Sequence, residues 1–165
     1  MNADLHIHLG DKVDVDLGNN HAAVSVQTNM GTLTLSSGSG SPDRDSKVDV
    51  WAHKLEAIEN DSSSDINLEN VQQRDMEIIL NGSGAIHITG HVENLIVTNN
   101  GSGDVELEDL VAENVTVKVN SAGSASVNVR RSLIATNTGT GDIKYRGNPG
   151  RVIPKVYGAG SVEKL

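Results

Sequence analysis

Six short segments of this chain resemble one another: SSSDINL, GSGAIHI, GSGDVEL, SAGSASV, GTGDIKY and GAGSVEK. Their third residues are Ser64, Gly84, Gly103, Gly123, Gly141 and Gly160, spaced 20, 19, 20, 18 and 19 apart. A sustained period near 19 constrains the fold more than any property of composition. A unit that small cannot bury its own apolar face, so it must stack on copies of itself.

Each period holds two alternating runs. The first gives Ile66 and Leu68, Ile86 and Ile88, Val105 and Leu107, Ala125 and Val127, then Ile143 and Tyr145. The second gives Met76, Ile78 and Leu80, Leu95 and Val97, Val115, Val117 and Val119, then Leu133 and Ala135. Alternation with period two reads as strand with one buried face. Two short strands per coil of about 19 residues, paired in parallel about 4.8 Å apart, build a two-sheeted parallel β-solenoid, five coils being roughly 24 Å long. The interior of such a prism suits Ile, Val, Leu and Ala. That accounts for a chain with one Trp, two Tyr and no Phe. The small-residue triplets are expected to make the corners because Gly tolerates positive φ.

Two further columns follow from the period. Asp61, Asn81, Asn100, Asn120 and Thr138 stand three residues before the anchors and read as a structural ladder between coils. Just after the anchors, Asp65, Ala85, Asp104, Ser124, Asp142 and Ser161 alternate acid with small residue. Like charges then lie two coils apart, about 9–10 Å. Calcium takes about six to eight oxygens at close range, so the column forms no cage by itself. On the outward side of the second strand, Ile79, Ile96 and Ile134 are interspersed with Thr98, Thr116 and Thr136. That apolar stripe is expected to be a packing or partner surface, with self-association through Ile79, Ile96 and Ile134 as one form.

Residues 1–54 escape the period but still read as strands: Leu5 to Leu9, Val13 to Leu17, Val24 to Thr28, Leu33 to Leu35 and Val48 to Ala52. Turn signals separate them, so a mostly antiparallel β region is expected there, capping the solenoid of 55–165 or flanking it.

The chemistry-bearing residues are sparse. His6 and His8 share a strand face without a third ligand. His87 and His91 flank a corner, with Glu106 one coil beyond His87, but no nucleophile accompanies them. Phosphate-loop, dinucleotide, GxSxG and HExxH motifs are missing, and no helix follows the GSG triplets. Arg130 and Arg131, with Lys144, Tyr145 and Arg146, form small basic islands, and Trp51 reads as core or interface. Without Cys there is no disulfide, thiol catalysis or Cys-based metal site. A net charge of −9 discourages a nucleic-acid partner. No apolar run approaches the ~18 residues of a membrane helix. Catalytic, cofactor-binding and metal residues are therefore expected to be none.

The run NGSGDVELEDLVAENVTVKVNSAG and the ending GTGDIKYRGNPGRVIPKVYGAGSVEKL resemble the bacterial "putative auto-transporter adhesin, head GIN domain" family. NMGTLTL and SKVDVWAHKLEAIENDSSSDINL fit it as well, and the repeated GSGD unit with the closing Gly147 to Pro149 is its most specific element. Ser64 in place of Gly, and SAGSA at Ser121 to Ala125 in place of GSGD, depart from the pattern while keeping the period. The resemblance implies a right-handed parallel β-helix in the bacterial cell envelope, extracytoplasmic, whose export signal is removed or omitted from this chain. It carries no catalytic residues to transfer. The resulting expectation is a noncatalytic envelope or surface protein with a structural, adhesive or interaction role, its partner a protein or glycan at the cell surface. A carbohydrate-binding module and a polysaccharide-active β-helix enzyme are the alternatives.

Overall fold

In the computed structural model of the protein, residues 4–9, 14–16, 24–29, 32–37 and 47–52 are described as backbone strands, and residues 55–165 with their side chains. Thirteen strands are described: β1 Asp4–Leu9, β2 Asp14–Asp16, β3 Val24–Asn29, β4 Thr32–Ser37, β5 Lys47–Ala52, β6 Ala57–Asn60, β7 Asp65–Leu80, β8 Ile86–Asn99, β9 Val105–Val119, β10 Ala125–Asn137, β11 Ile143–Gly147, β12 Arg151–Val156 and β13 Val162–Lys164.

The repeat builds a parallel solenoid of about 19 residues per turn. The first sheet runs β13, β11, β10, β9, β8, β7, β1, β5, β2. The second runs β12, then the C-terminal halves of β10, β9, β8 and β7, then β6, β4 and β3. The two expected strands of each coil are thus halves of one long strand in β7 to β10, bent at a corner.

Alternation decides what the stack buries. In the first sheet Ile66, Ile86, Val105, Ala125, Ile143 and Val162 share one register column. In the second, Met76, Leu95, Val115 and Leu133 share one, and Ile78, Val97, Val117 and Ala135 the next. All of these from coils before β12 are at most 2% exposed. Tyr145, predicted inward, is only partly buried, because it stands at the last coils of the stack. Val71, Val92, Leu110, Ala112 and Val129 complete the core along the bent corner. Each buried aliphatic contributes about 1.5–3 kcal/mol of transfer free energy.

The unevenness of the period has one location. From the last inward residue of the first strand to the first of the second, the chain advances from Leu68 to Met76, Ile88 to Leu95, Leu107 to Val115 and Val127 to Leu133, that is 8, 7, 8 and 6 positions. The register shifts between neighbouring coils fall in these same corners. The sheets stay in register and the corner absorbs the difference. Positive φ also belongs there: Asn70 at 59°, Gly90 at 134° and Gly147 at 95°.

The glycine triplets therefore follow a different rule from the expected one. None of Gly84, Gly103, Gly123, Gly141 and Gly160 has positive φ. A Cβ at each would instead overlap the backbone carbonyl oxygen of Ser64, Gly84, Gly103, Gly123 and Gly141 respectively. Glycine is required because one coil's backbone sits directly on the next.

The N-terminal strands pair with one another mostly antiparallel, as expected: β2–β5 and β3–β4 are antiparallel and β1–β5 is parallel, while β1–β7 and β4–β6 join them in parallel to the solenoid. Leu5 and Ile7 take the register of Ile66 and Leu68, so these strands continue the columns of the solenoid. Alternation marks a strand without stating the direction of its neighbour, so the parallel joins to the solenoid do not follow from the sequence pattern.

Candidate interaction surfaces

The corners carry polar order that links each coil to the next. Asn81 Nδ2 donates to Asp61 Oδ1 (2.6 Å), Asn100 to Asn81 (2.9 Å), Asn120 to Asn100 (2.7 Å), and Thr138 Oγ1 to Asn120 Oδ1 (2.9 Å). This is the expected ladder, unbroken over five coils. A second ladder starts the other strand, where Asn94 donates to Asp75 (2.7 Å), Asn114 to Asn94 (3.1 Å) and Ser132 to Asn114 (2.8 Å).

A third set of amides is buried and was not recognised from sequence. Asn60, Asn99 and Asn137 are 0% exposed. Asn99 Nδ2 donates to the carbonyls of Gly103 (2.9 Å) and Ser124 (3.1 Å), while its Oδ1 accepts from Gly101 N (3.1 Å). Asn137 repeats this with Gly141, Ser161 and Gly139. Leu80 and Val119 hold the same column in the intervening coils. The acid column keeps the same phase. Asp65 Oδ1 accepts Ala85 N (2.7 Å), Asp104 accepts Ser124 N (2.8 Å), and Asp142 accepts Ser161 N (2.8 Å) and Oγ (3.0 Å). The alternation of acid and small residue, expected as charge spacing, thus caps a backbone N–H of the following coil. Hydrogen bonds from Ser161 hold the Asp142 carboxyl below the ordinary carboxylate range. The structural unit is two coils, and its signature, Asn-x4-Asp at 60/65, 99/104 and 137/142, was legible in the sequence.

This arrangement predicts unequal costs for two adjacent amides. Asn99→Leu removes the side-chain donor to the Gly103 carbonyl inside the stack, so it should lower stability by about 1–3 kcal/mol. Asn100→Ala, at an exposed rung, should cost within about 0.5 kcal/mol. Thermal denaturation of both variants checks this, and equal transitions would refute the buried role.

On the outer face of the first sheet, a cleft of about 390 Å³ is lined by His87, Asp104, Glu106, Glu108, Asp109, Ser124, Ser126 and Lys144, among others. It lies beside the long Leu107-to-Val115 corner. His87 Nδ1 is 3.9 Å from Glu106 Oε2, the cross-coil pair expected from the period, and His91 does not line this cleft. Arg146 Nη2 bonds Glu108 Oε2 at 2.8 Å, and Arg130 and Arg131 reach Glu113 at 3.9 and 3.6 Å. The basic islands are therefore partners of acidic corners. Among the described residues no three His, Asp or Glu side chains converge as a metal site would need. The side chains of His6, His8 and Trp51 lie outside the described residues.

The outer face of the second sheet differs in character. Ile96 and Ile134 are 47% and 39% exposed. They share one column with Glu77, Thr116 and Ile153. Ile79 stands elsewhere: it is half-buried and belongs to the neighbouring column of Glu59, Thr98, Lys118, Thr136 and Lys155. The expected three-isoleucine stripe is thus a column of Ile96, Ile134 and Ile153, with Ile79 to one side. Sequence spacing alone missed this because the residues lie one alternation apart.

A two-sheeted parallel β-solenoid with a ladder-braced, carboxylate-rich cleft on one side and an aliphatic–threonine face on the other defines the structural class. Residues 2–149 match the family model "Putative auto-transporter adhesin, head GIN domain", and the chain belongs to that family. Its fold is shared with three crystal structures. One is a "putative adhesin" from Bacteroides fragilis, with 22% identity, TM-score 0.75, and coverage of 100% of this chain and 89% of that one. The second is a "putative lipid binding protein" from Parabacteroides distasonis, with 19% identity, TM-score 0.57, and coverage of 100% and 89%. The third is a "putative adhesin" from Parabacteroides merdae, with 20% identity, TM-score 0.51, and coverage of 99% and 88%. Among curated proteins, none is significantly similar in sequence. No helix among the described residues is long and apolar enough to cross a membrane.

Proposed function

We propose that the protein is a noncatalytic, extracytoplasmic scaffold of the bacterial cell envelope or surface that works by presenting a rigid face to a macromolecular partner. The observation that carries this reading is the outer face of the second sheet, where Ile96 and Ile134 stand exposed on a sheet braced by amide ladders. Aliphatic area in a polar rim is the pattern of a protein-binding patch. Membership of an adhesin-type family supports the surface location and the adhesive role. Carbohydrate binding is the second reading, favoured by the polar cleft at His87, Glu106 and Lys144.

The test compares the wild type with an Ile96→Lys, Ile134→Lys variant. Both are applied to envelope fractions, with and without protease treatment of the fraction, and to a glycan array. The expected result is retention by untreated fractions only, weakened in the variant. Binding to arrayed glycans that both proteins share would establish the second reading instead. Release of sugar ends from envelope polysaccharide would overturn the noncatalytic assignment.

A further inference from the structure

Because each coil of residues 55–165 advances along one axis, position in that stretch of sequence is position along the rod. The charges divide along it. Residues 55–117 carry 1 Arg against 13 Asp and Glu, and residues 118–165 carry 8 Lys and Arg against 2, so the two parts hold −12 and +6. The outer face of the second sheet carries the same gradient. Its outward columns are Asp75, Asn94, Asn114, Ser132, Arg151; then Glu77, Ile96, Thr116, Ile134, Ile153; then Ile79, Thr98, Lys118, Thr136, Lys155. Asp75 and Glu77 mark one end, Arg151 and Lys155 the other, and Ile96 and Ile134 lie between.

We propose that this face docks a second copy of the chain, antiparallel, about a two-fold axis running along the strand direction through the Thr116 coil. The inference rests on reading the face as an interaction surface and names its partner. A rotation about that axis keeps each column and reverses the order of coils. Ile96 then meets Ile134 of the second copy, Thr116 meets its own counterpart, and Thr98 meets Thr136. Asp75 meets Arg151, with Glu77 beside the same basic end. Each of these contacts occurs twice, as an isologous interface requires, except the Thr116 self-contact, which lies on the axis and occurs once. The parallel alternative, about the solenoid axis, places Glu77 on Glu77 and Arg151 beside Lys155, so like charges oppose it at both ends. Lys118, in the same coil as Thr116, also meets its own counterpart, but at the margin of the face, where the long stems carry both ammonium groups into solvent. Five coils by five residues present about 400–500 Å² per copy, a total near the low end for specific interfaces, so the dimer is reversible and concentration-dependent.

Sedimentation of the full chain at concentrations up to about 0.5 mM, suited to an interface this small, tests the geometry. Wild type should dimerise. Asp75→Arg and Arg151→Asp should each raise the dissociation constant at least about tenfold, since each places two like-charged pairs in the homodimer. Mixing the two single variants should restore association, because the heterodimer recovers both opposite-charge contacts, and the double variant should dimerise like wild type. Ile96→Lys with Ile134→Lys should be monomeric with an unchanged thermal transition. A wild type that stays monomeric throughout, or single variants that do not complement, overturns the proposal. If that happens while the isoleucine variant still loses retention by envelope fractions, the face binds a foreign partner and the functional reading stands. A complementing dimer whose isoleucine variant binds envelope normally refutes the functional reading alone.

Discussion

Gly103→Ala should prevent the solenoid from closing at its third described coil. The added methyl would occupy the space of the Gly84 carbonyl oxygen, with the Gly84 carbonyl carbon and the Ser83 backbone also inside contact distance. No flexible side chain is available to move, since every atom concerned belongs to the backbone of the neighbouring coil. Relief requires the coils to separate at the corner. That would strain the bonds from Ser102 N to Gly82 O (3.1 Å) and from Ile86 N to Asp104 O (3.0 Å). Overpacking of this kind costs about 3 kcal/mol or more, a large part of the ~5–15 kcal/mol that holds a domain of this size. Gly150→Ala is the matched control. A Cβ there meets nothing closer than Arg131 O at 4.0 Å, so that variant should melt with the wild type. Circular dichroism melting of the three proteins decides the matter, and a Gly103→Ala transition equal to that of Gly150→Ala would refute the close-stacking account.

Val117→Asp should be at least as damaging. Val117 is 0% exposed and lies in register between Val97 and Ala135, both also 0% exposed. An Asp there replaces a packed aliphatic with a carboxyl that has no hydrogen-bonding side chain in its column. The protein must either bury the charge or hold the acid protonated, and the cost is on the order of 4–5 kcal/mol. The expected result is loss of the cooperative β transition at neutral pH. Thr116→Asp, one residue away and outward, should change unfolding stability by only about 0.5 kcal/mol. Chemical denaturation of the pair reads the inward and outward assignment directly, and comparable stability of both variants would show it to be wrong.

Much of this architecture was legible in the sequence because a stack of small coils leaves a regular trace. The anchors from Ser64 to Gly160 set the turn length, and the inward columns from Ile66 to Ile143 and from Met76 to Ala135 set the faces. The ladder from Asp61 to Thr138 could be read because amides recurring at one corner position stand close enough across coils to bond one another. What was misread shares a cause. The triplet glycines were assigned to backbone conformation, but the pressure on them comes from the next coil, a contact made about 19 residues away in the chain. The alternating acids were assigned to charge spacing, whereas Asp104 and Asp142 each cap an N–H of the coil that follows. The cleft beside His87 could be anticipated only as a pair with Glu106. Its remaining wall comes from corners whose unequal lengths are invisible until the coils are aligned.

The sequence by itself determined the period, the strand alternation, the identity of the core and the family to which the chain belongs. Those are properties of spacing, and spacing survives in one dimension. Only the tertiary structure decided which outward residues are neighbours, and so that Ile96 stands with Ile134 and Ile153 while Ile79 falls in the next column. It also decided that β1 and β4 run parallel to the coils they join, and that Asn60, Asn99 and Asn137 close alternate corners from within. The physical reason is the corner. Its variable length changes the count of residues between equivalent positions while the sheets stay in register, so adjacency across coils is set by hydrogen-bond pairing and not by a fixed sequence interval.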